Sequence, residues 1–440
     1  MKKHNKKQFN RVNKNDNCQS ERGDMSRRHF LLGAGSLVFG GALGGGLLSG
    51  CKEEVTTTKM ITTTKTVSVP TTVEVPVTTT VTETGYLTET STVTSTVTDS
   101  GAKTITVTDS RGREVTLNLP VNRVVYLHPT LAEGLKIIDA WDKVIAVDNY
   151  TTNNVFFPNL GSLPVIAMTE SGTIDYEAII TLQPDVVLVL AAPGHYDVDA
   201  MIAALEPEIP VVAVFDIYAA DAWPSGIELL GKIMQKEEEA QEFIEFCRNI
   251  EANIGSKTLS LSDEEKPGIF IKVPGYTSDQ FSSYTNEFAF IANLMAVTGA
   301  VNVAADLPST GGWVENVDME WLITQPYEFI MATLWDSLNP GVLGYNVQNT
   351  IAAQKYHTEM MQLPAFSASQ AVADGNLYIT DTTLTTTPRY FILMEYMAKM
   401  LHPDLFADLD PKATHQEYLS RFMRVDFSLE ESGVFFYPEP

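Results

Sequence analysis

The stretch Ala222-Trp223-Pro224-Ser225-Gly226-Ile227-Glu228-Leu229-Leu230-Gly231-Lys232-Ile233-Met234, continued to Ile254, decides how the rest of the chain reads. Trp223, Ile227, Leu230 and Met234 recur at steps of four, three and four. After a charged break, Gln235-Lys236-Glu237-Glu238-Glu239, the stripe resumes at Ala240, Phe243, Cys247, Ile250 and Ile254. That spacing predicts a long helix, continuous or interrupted at the break, with one apolar face and one wet face. Pro224 falls in a first turn, where its missing N–H would have had no partner. About thirty residues at 1.5 Å each span roughly 45 Å, enough to run along two lobes. Residues 123–215 before it and 267–423 after it each alternate short β-branched runs with amphipathic ones. The predicted class is therefore α/β: two lobes with mostly parallel sheets, joined by one long linker helix.

Working outward, the order predicts five segments: a signal at 1–50, a stalk at 51–102, a first lobe at 103–221, the linker at 222–258 and a second lobe at 259–440. The first lobe starts with a hairpin around Asp109-Ser110-Arg111-Gly112 and continues with strands near 123–127, 143–147, 186–190 and 211–215. A short helix over 175–182 is capped by Asp175 or Thr173. In the second lobe, strands are expected at 268–273, 329–332 and 377–380, with a helix over 286–297 ending at Gly299 and closing helices at 388–401 and 415–423.

The charge is lopsided. Residues 1–50 hold 9 Lys+Arg against 3 Asp+Glu, leaving 21 against 52 in the rest. So acidic a body argues against nucleic-acid binding, which needs basic surface to displace counterions. A hydrophobic content of 44% is that of a soluble globular chain. The three cysteines, Cys18, Cys51 and Cys247, form no CxxC, so neither a zinc ribbon nor a disulfide framework is available. Cys247 lies on the apolar stripe and reads as a small buried hydrophobe. No cofactor is implied.

Ser26-Arg27-Arg28-His29-Phe30-Leu31 resembles a twin-arginine export signal. The apolar run 31–48 beyond it holds seven glycines, which makes it a poor permanent membrane helix. It ends Leu48-Ser49-Gly50-Cys51, which resembles a lipoprotein cleavage box with Cys51 as the lipidated thiol. The alternative is a plain membrane anchor. Residues 52–100 are Thr/Val-rich and too poor in large apolar side chains to build a core, so an extended stalk is expected.

No enzyme signature survives. Gly226-Ile227-Glu228-Leu229-Leu230-Gly231-Lys232 fits seven positions of a phosphate loop, but Ile233 replaces the magnesium-binding hydroxyl and the run lies within a helix. Other runs point elsewhere. Arg123-Val124-Val125-Tyr126-Leu127-His128-Pro129-Thr130-Leu131-Ala132-Glu133 resembles the first strand and helix of the binding proteins of iron-siderophore and vitamin B12 ABC importers. Tyr176-Glu177-Ala178-Ile179 with Leu182-Gln183-Pro184-Asp185, Lys236-Glu237-Glu238-Glu239-Ala240, Asp318-Met319-Glu320-Trp321-Leu322 and Thr387-Pro388-Arg389-Tyr390 resemble later stretches of the same family, in order.

The resemblance implies a monomeric, extracytoplasmic solute-binding protein without catalysis, lipid-anchored and serving an ABC permease. Its ligand would be an iron(III)-siderophore or, second, a corrinoid. A metal-ion or oxyanion binder of the same fold is the other class, and a secreted enzyme a third. In this family the ligand lies where C-terminal strand ends of both lobes face each other. That nominates His128, Tyr150 and the loop 169–172 from the first lobe. From the second it nominates Tyr276, Tyr284, Trp313, Trp335, Asp381 and Arg389. Aromatic walls suit a bulky chelate, and Arg389 is expected to clamp an anionic group bidentately. Each aromatic has an alternative as an ordinary loop anchor. A bare metal ion would need three or four donors around His128, and His195 and His357 are the other loop histidines. The family docks on its permease through one acid per lobe. Glu177 holds the first position. In the second lobe Ala296 stands near the expected place, and Glu287 lies nine residues earlier.

Overall fold

The computed structural model describes residues 103–440, apart from 154, 158, 169–170, 192–195 and 275–279, together with two strands in the Thr/Val-rich tract. The signal motif, Cys51, His195 and Tyr276 lie outside the described residues. Within the tract expected to be an extended stalk, β1 (Glu74–Thr80) and β2 (Thr90–Thr96) pair antiparallel. The Thr/Val alternation thus forms a ladder.

The first lobe begins with the predicted hairpin, β3 (Lys103–Thr108) and β4 (Glu114–Leu119). Asp109 closes its turn by accepting the amides of Arg111 and Arg113, each at 2.9 Å. The chain then runs β5 (Val124–Tyr126), α1 (Pro129–Ile137), β6 (Val144–Asp148), β7 (Val165–Met168), β8 (Thr173–Ile174), α2 (Tyr176–Leu182), β9 (Val186–Leu190), α3 (Val198–Leu205) and β10 (Val211–Phe215). The strands order as β10-β9-β5-β6-β7-β8, all parallel except β8. All five residues of β9 are apolar and buried, as a strand covered on both faces requires. Their alternation sends Val186, Leu188 and Leu190 to one face and Val187 and Val189 to the other.

The linker takes the interrupted form that the charged break allowed, two helices in place of one. α4 (Ala222–Met234) stops at Gln235, whose φ of 55° and ψ of 45° are left-handed, and α5 (Glu237–Thr258) starts afresh. The Gly231 carbonyl accepts the amides of both Gln235 and Lys236, ending the first helix. A side chain at Gly231 would meet the Ala240 methyl at 2.6 Å, so the two helices turn a tight corner there. α4 packs on β10 of the first lobe. The crossing is therefore carried by α5, about 33 Å long at the standard rise.

The second lobe runs β11 (Gly268–Lys272), β12 (Ser283–Tyr284), α6 (Ala289–Thr298), β13 (Val301–Asn302), β14 (Trp313–Val314), α7 (Met319–Ile323), β15 (Phe329–Leu334), α8 (Ile351–Met361), α9 (Pro364–Ser367), α10 (Gln370–Ala373), β16 (Leu377–Asp381), α11 (Tyr390–Leu401), α12 (Pro411–Glu417) and β17 (Phe436–Tyr437). Its sheet orders β13-β11-β15-β16-β17, parallel but for β17. Gly299, at φ 69°, caps α6 where the sequence placed its end.

Each sheet has an apolar cluster of its own on one face. The other faces share a single cluster that takes in α4, α5 and α11. Phe243 of α5 touches Phe391, Tyr418 and Phe422, with ring centroids 5.1–6.3 Å apart. The lobes are thus joined by a continuous apolar core in which the linker is embedded, rather than by a strut alone.

Candidate ligand site at the seam between the lobes

The parallel strands of both sheets send their C-terminal loops to one seam, and several contacts cross it. The Thr130 hydroxyl donates to the Thr386 carbonyl at 3.2 Å. Tyr218, in the loop after β10, packs on Phe288 at 5.3 Å. Tyr150, after β6, lies close enough to Asp381, at the end of β16, for that carboxylate to add to burial and Asp148 in pushing its phenol up.

His128 ends β5 and caps α1, with its Nδ1 accepting the Thr130 amide at 3.3 Å. That leaves the proton of the neutral ring on Nε2. Its φ of 119° and ψ of 133° are a backbone shape that favours glycine. Strain of this kind persists where surrounding structure enforces it, and it clusters at functional sites. The ring meets Tyr150 edge-on at 5.6 Å. Beneath them, buried Asp148 accepts the Thr151 amide and hydroxyl at 3.1 and 2.9 Å. Burial pushes its carboxyl up to about 6, against hydrogen bonds from Thr151 and the amides of His128 and Tyr150.

On the facing lobe Tyr284 and Trp313 are cross-strand partners on β12 and β14, rings 5.7 Å apart. Trp313 is half-buried. Tyr284 is buried behind it, its phenol pushed up by burial and by Tyr218 and Tyr150 nearby. Asp381 accepts the Thr383 amide at 2.8 Å. Its carboxyl is raised by burial, with Asp336 adding to the rise and Arg389 opposing it. Trp335 comes after β15, beside Asp336, and is half-buried.

Arg389 is placed otherwise than expected. It is 4% exposed and donates to Glu133 of α1 at 2.6 Å, while Tyr418 donates to the other carboxylate oxygen at 2.6 Å. Its guanidinium lies over the rings of Phe156 and Tyr345, 5.2 and 5.8 Å from their centroids. The cation is engaged by a buried carboxylate below the seam, so it is not an open clamp for an anion. His357 is also corrected. It lies on α8, not in a loop, and donates from Nε2 to the Leu377 carbonyl at 2.8 Å.

The model of the periplasmic binding protein family matches residues 124–384. The chain belongs to that family. Its members bind solutes and are not enzymes, and at that level the chain is a substrate-binding protein of an ABC transporter. A relative from Bacillus subtilis (strain 168), an uncharacterised ABC transporter substrate-binding lipoprotein, is 24% identical over 297 residues, 67% of this chain and 84% of the relative. A TroA-like periplasmic binding protein from Veillonella parvula has a TM-score of 0.62 at 22% identity, over 76% of this chain and 99% of its own. The molybdate periplasmic binding protein of Haemophilus influenzae, with molybdate bound, has a TM-score of 0.59 at 18% identity, over 74% and 99%. At these identities the structures show the fold alone.

Within this periplasmic binding protein, Glu177 is exposed in the first turn of α2, behind the cap Asp175. Glu287 stands just before α6 and is tied to the neighbouring loop, accepting the Ser309 hydroxyl and, at 3.3 Å, the Gly312 amide. Sequence reasoning missed Asp148, Tyr218 and Glu133. Tyr218 comes directly after a buried strand as Tyr150 does, and the same rule finds it. Glu133 betrays itself as an acid among Leu131, Ala132, Gly134 and Leu135, on the helix face that Thr130 and Ile137 also bury.

Proposed function

We propose that this protein is a lipid-anchored, extracytoplasmic binding component that captures a bulky metal chelate at the seam and delivers it to an ABC permease. An iron(III)-siderophore is the first choice of ligand and a corrinoid the second. The observation that carries the reading is the aromatic lining contributed by both lobes, Tyr150 from one and Trp313, backed by buried Tyr284, from the other, beside the strained His128. Aromatic rings offer large contact area at small rotamer cost. His128, Tyr150, Tyr276, Trp313, Trp335 and Asp381 are the residues assigned to the ligand, with Tyr284 behind them. Glu177 and Glu287 are assigned to the permease, and Cys51 to the lipid. The Bacillus relative is a lipoprotein by name, which fits the anchor.

Tryptophan fluorescence of the purified protein tests the ligand class. Ferric chelates or cobalamins are expected to quench it saturably. Saturable binding of free zinc with no response to any chelate would overturn the reading in favour of a metal-ion carrier. Cys51→Ser is expected to move the protein from the membrane to the soluble fraction, and an unchanged membrane fraction would contradict the anchor.

A further inference from the structure

The seam carries a charge pattern that narrows the ligand further. None of the described residues in 149–164, 191–197, 216–221, 273–282, 303–312 and 335–350, which follow the C-terminal ends of parallel strands, is a lysine or arginine. The loop after β16 holds one, Arg389, and Glu133 neutralises it below the seam. Lys272 ends β11, but it is buried with its ammonium 5.5 Å from the Phe281 ring centroid, in the second lobe's own cluster on the outer face of its sheet. Acids are plentiful in the same places. Asp148 and Asp381 flank Tyr150, Asp216 precedes Tyr218, and Asp336 adjoins Trp335. The cations sit at the opposite edge. Arg123 leads into β5, Lys143 into β6 and Lys266 into β11.

We infer that the seam selects metal chelates that are neutral or cationic overall, such as ferric hydroxamates, and rejects polyanionic chelates such as ferric tris-catecholate. This rests on the chelate-binding reading above and adds the ligand's charge class to it. A trianion brought against this edge would meet two or more carboxylates at short range with no cation to pair with. Like charges brought together at an interface suppress the wrong partner. A cation or neutral complex meets no such repulsion, and Asp148 and Asp381 attract the cation. The same argument sets oxyanions aside.

The test is a fluorescence titration of the full chain in matched buffer with three ferric chelates. These are a neutral tris-hydroxamate, a tris-hydroxamate carrying a protonated amine, and a tris-catecholate trianion. The trianion is expected to bind at least about 100-fold more weakly than either hydroxamate, a step of about 2.8 kcal/mol. Raising the salt is expected to weaken the cationic complex and leave the neutral one unchanged. Asp381→Asn, which keeps an acceptor for the Thr383 amide, is expected to shrink the ratio between cation and trianion. A trianion bound as tightly as the neutral chelate overturns the charge inference while the chelate reading stands. No response to any of the three, or to a cobalamin, overturns both.

Discussion

Tyrosine and carboxylate side chains gather both below the seam and along its rim, and they do opposite work in the two places. Below it, Tyr418 is fully buried and gives its hydrogen bond to Glu133, which also takes Arg389. At the rim, Tyr150 is 41% exposed and faces His128 and two carboxylates. The floor closes its polar groups on one another, so it holds the lobes in register but has little left to offer a ligand. The rim leaves the Tyr150 ring and the exposed Asp336 open to whatever enters, above the buried Asp148 and Asp381. Residue type does not separate the two regions; burial and pairing do.

The sharpest way to break that contrast is to unpair the floor. Arg389→Met leaves Glu133 buried without its cation, and removing one partner of a buried pair costs about 3–5 kcal/mol. Replacing both, as Glu133→Leu with Arg389→Met, is expected to recover most of that loss, because a well-packed apolar pair escapes the desolvation penalty. The Arg389 Nε makes no hydrogen bond, so the native network is itself imperfect. Urea unfolding of the single and double variants reads the difference. A single variant as stable as wild type would mean the ion pair is not the lock described.

Asp148 marks the boundary between floor and rim, and its titration has a definite sign. Its carboxyl sits at about 6 against a usual 3.8, so the folded state holds the proton more tightly than the unfolded state does. That contribution is fully present below about pH 4 and is lost as pH rises through about 6. Asp148→Asn stays neutral throughout and keeps an oxygen for Thr151. Its stability relative to wild type is expected to climb between pH 4 and 6 and then level off. The gap between the two values converts to about 3 kcal/mol at most. Urea midpoints of both proteins at pH 4, 5, 6 and 7 check this, and a difference that ignores pH would remove Asp148 from the account.

At the rim alone, effects should fall on binding and spare stability. Tyr150→Ala is expected to weaken chelate affinity about tenfold, as loss of an aromatic contact does at a binding hot spot. Its unfolding free energy should change by no more than about 0.5 kcal/mol, the usual range for an exposed side chain. A fluorescence titration beside a urea melt separates the two readouts. A large loss of stability would make Tyr150 part of the floor.

Legibility in the sequence divides along the same line. Strands β9 and β10, the helix α2 with its Asp175 cap and the Gly299 stop of α6 are readable because each signal is local: an unbroken apolar run, a capping side chain, a left-handed glycine. β8 and β17 are not, since strands of two residues exist only through their partners. The periodicity of α4 and α5 is visible and so is the charged break, but not that Gln235 turns the corner. Tyr150 and Trp335 are found by looking at the residues just past each strand, a rule that needs no partner. Arg389 is misread because its partner lies 256 positions away and no spacing rule connects them. The strain at His128 also leaves no mark in the sequence, since histidine gives no sign of a φ of 119°.

The smallest effect tests whether the corner between α4 and α5 belongs to the floor as a fixed part. Gln235 holds a left-handed backbone, a cost of about 1 kcal/mol for a residue with a Cβ. Gln235→Gly is therefore expected to stabilise the protein by about 0.5–1 kcal/mol, less whatever the more flexible unfolded chain takes back. Chelate affinity should stay the same, because Gly231 against Ala240 already sets the angle between the helices. If the variant gains stability but loses affinity, the corner moves when ligand binds, and the floor is a hinge. If affinity stays within error of wild type and only the small gain in stability appears, the corner is a fixed part of the floor.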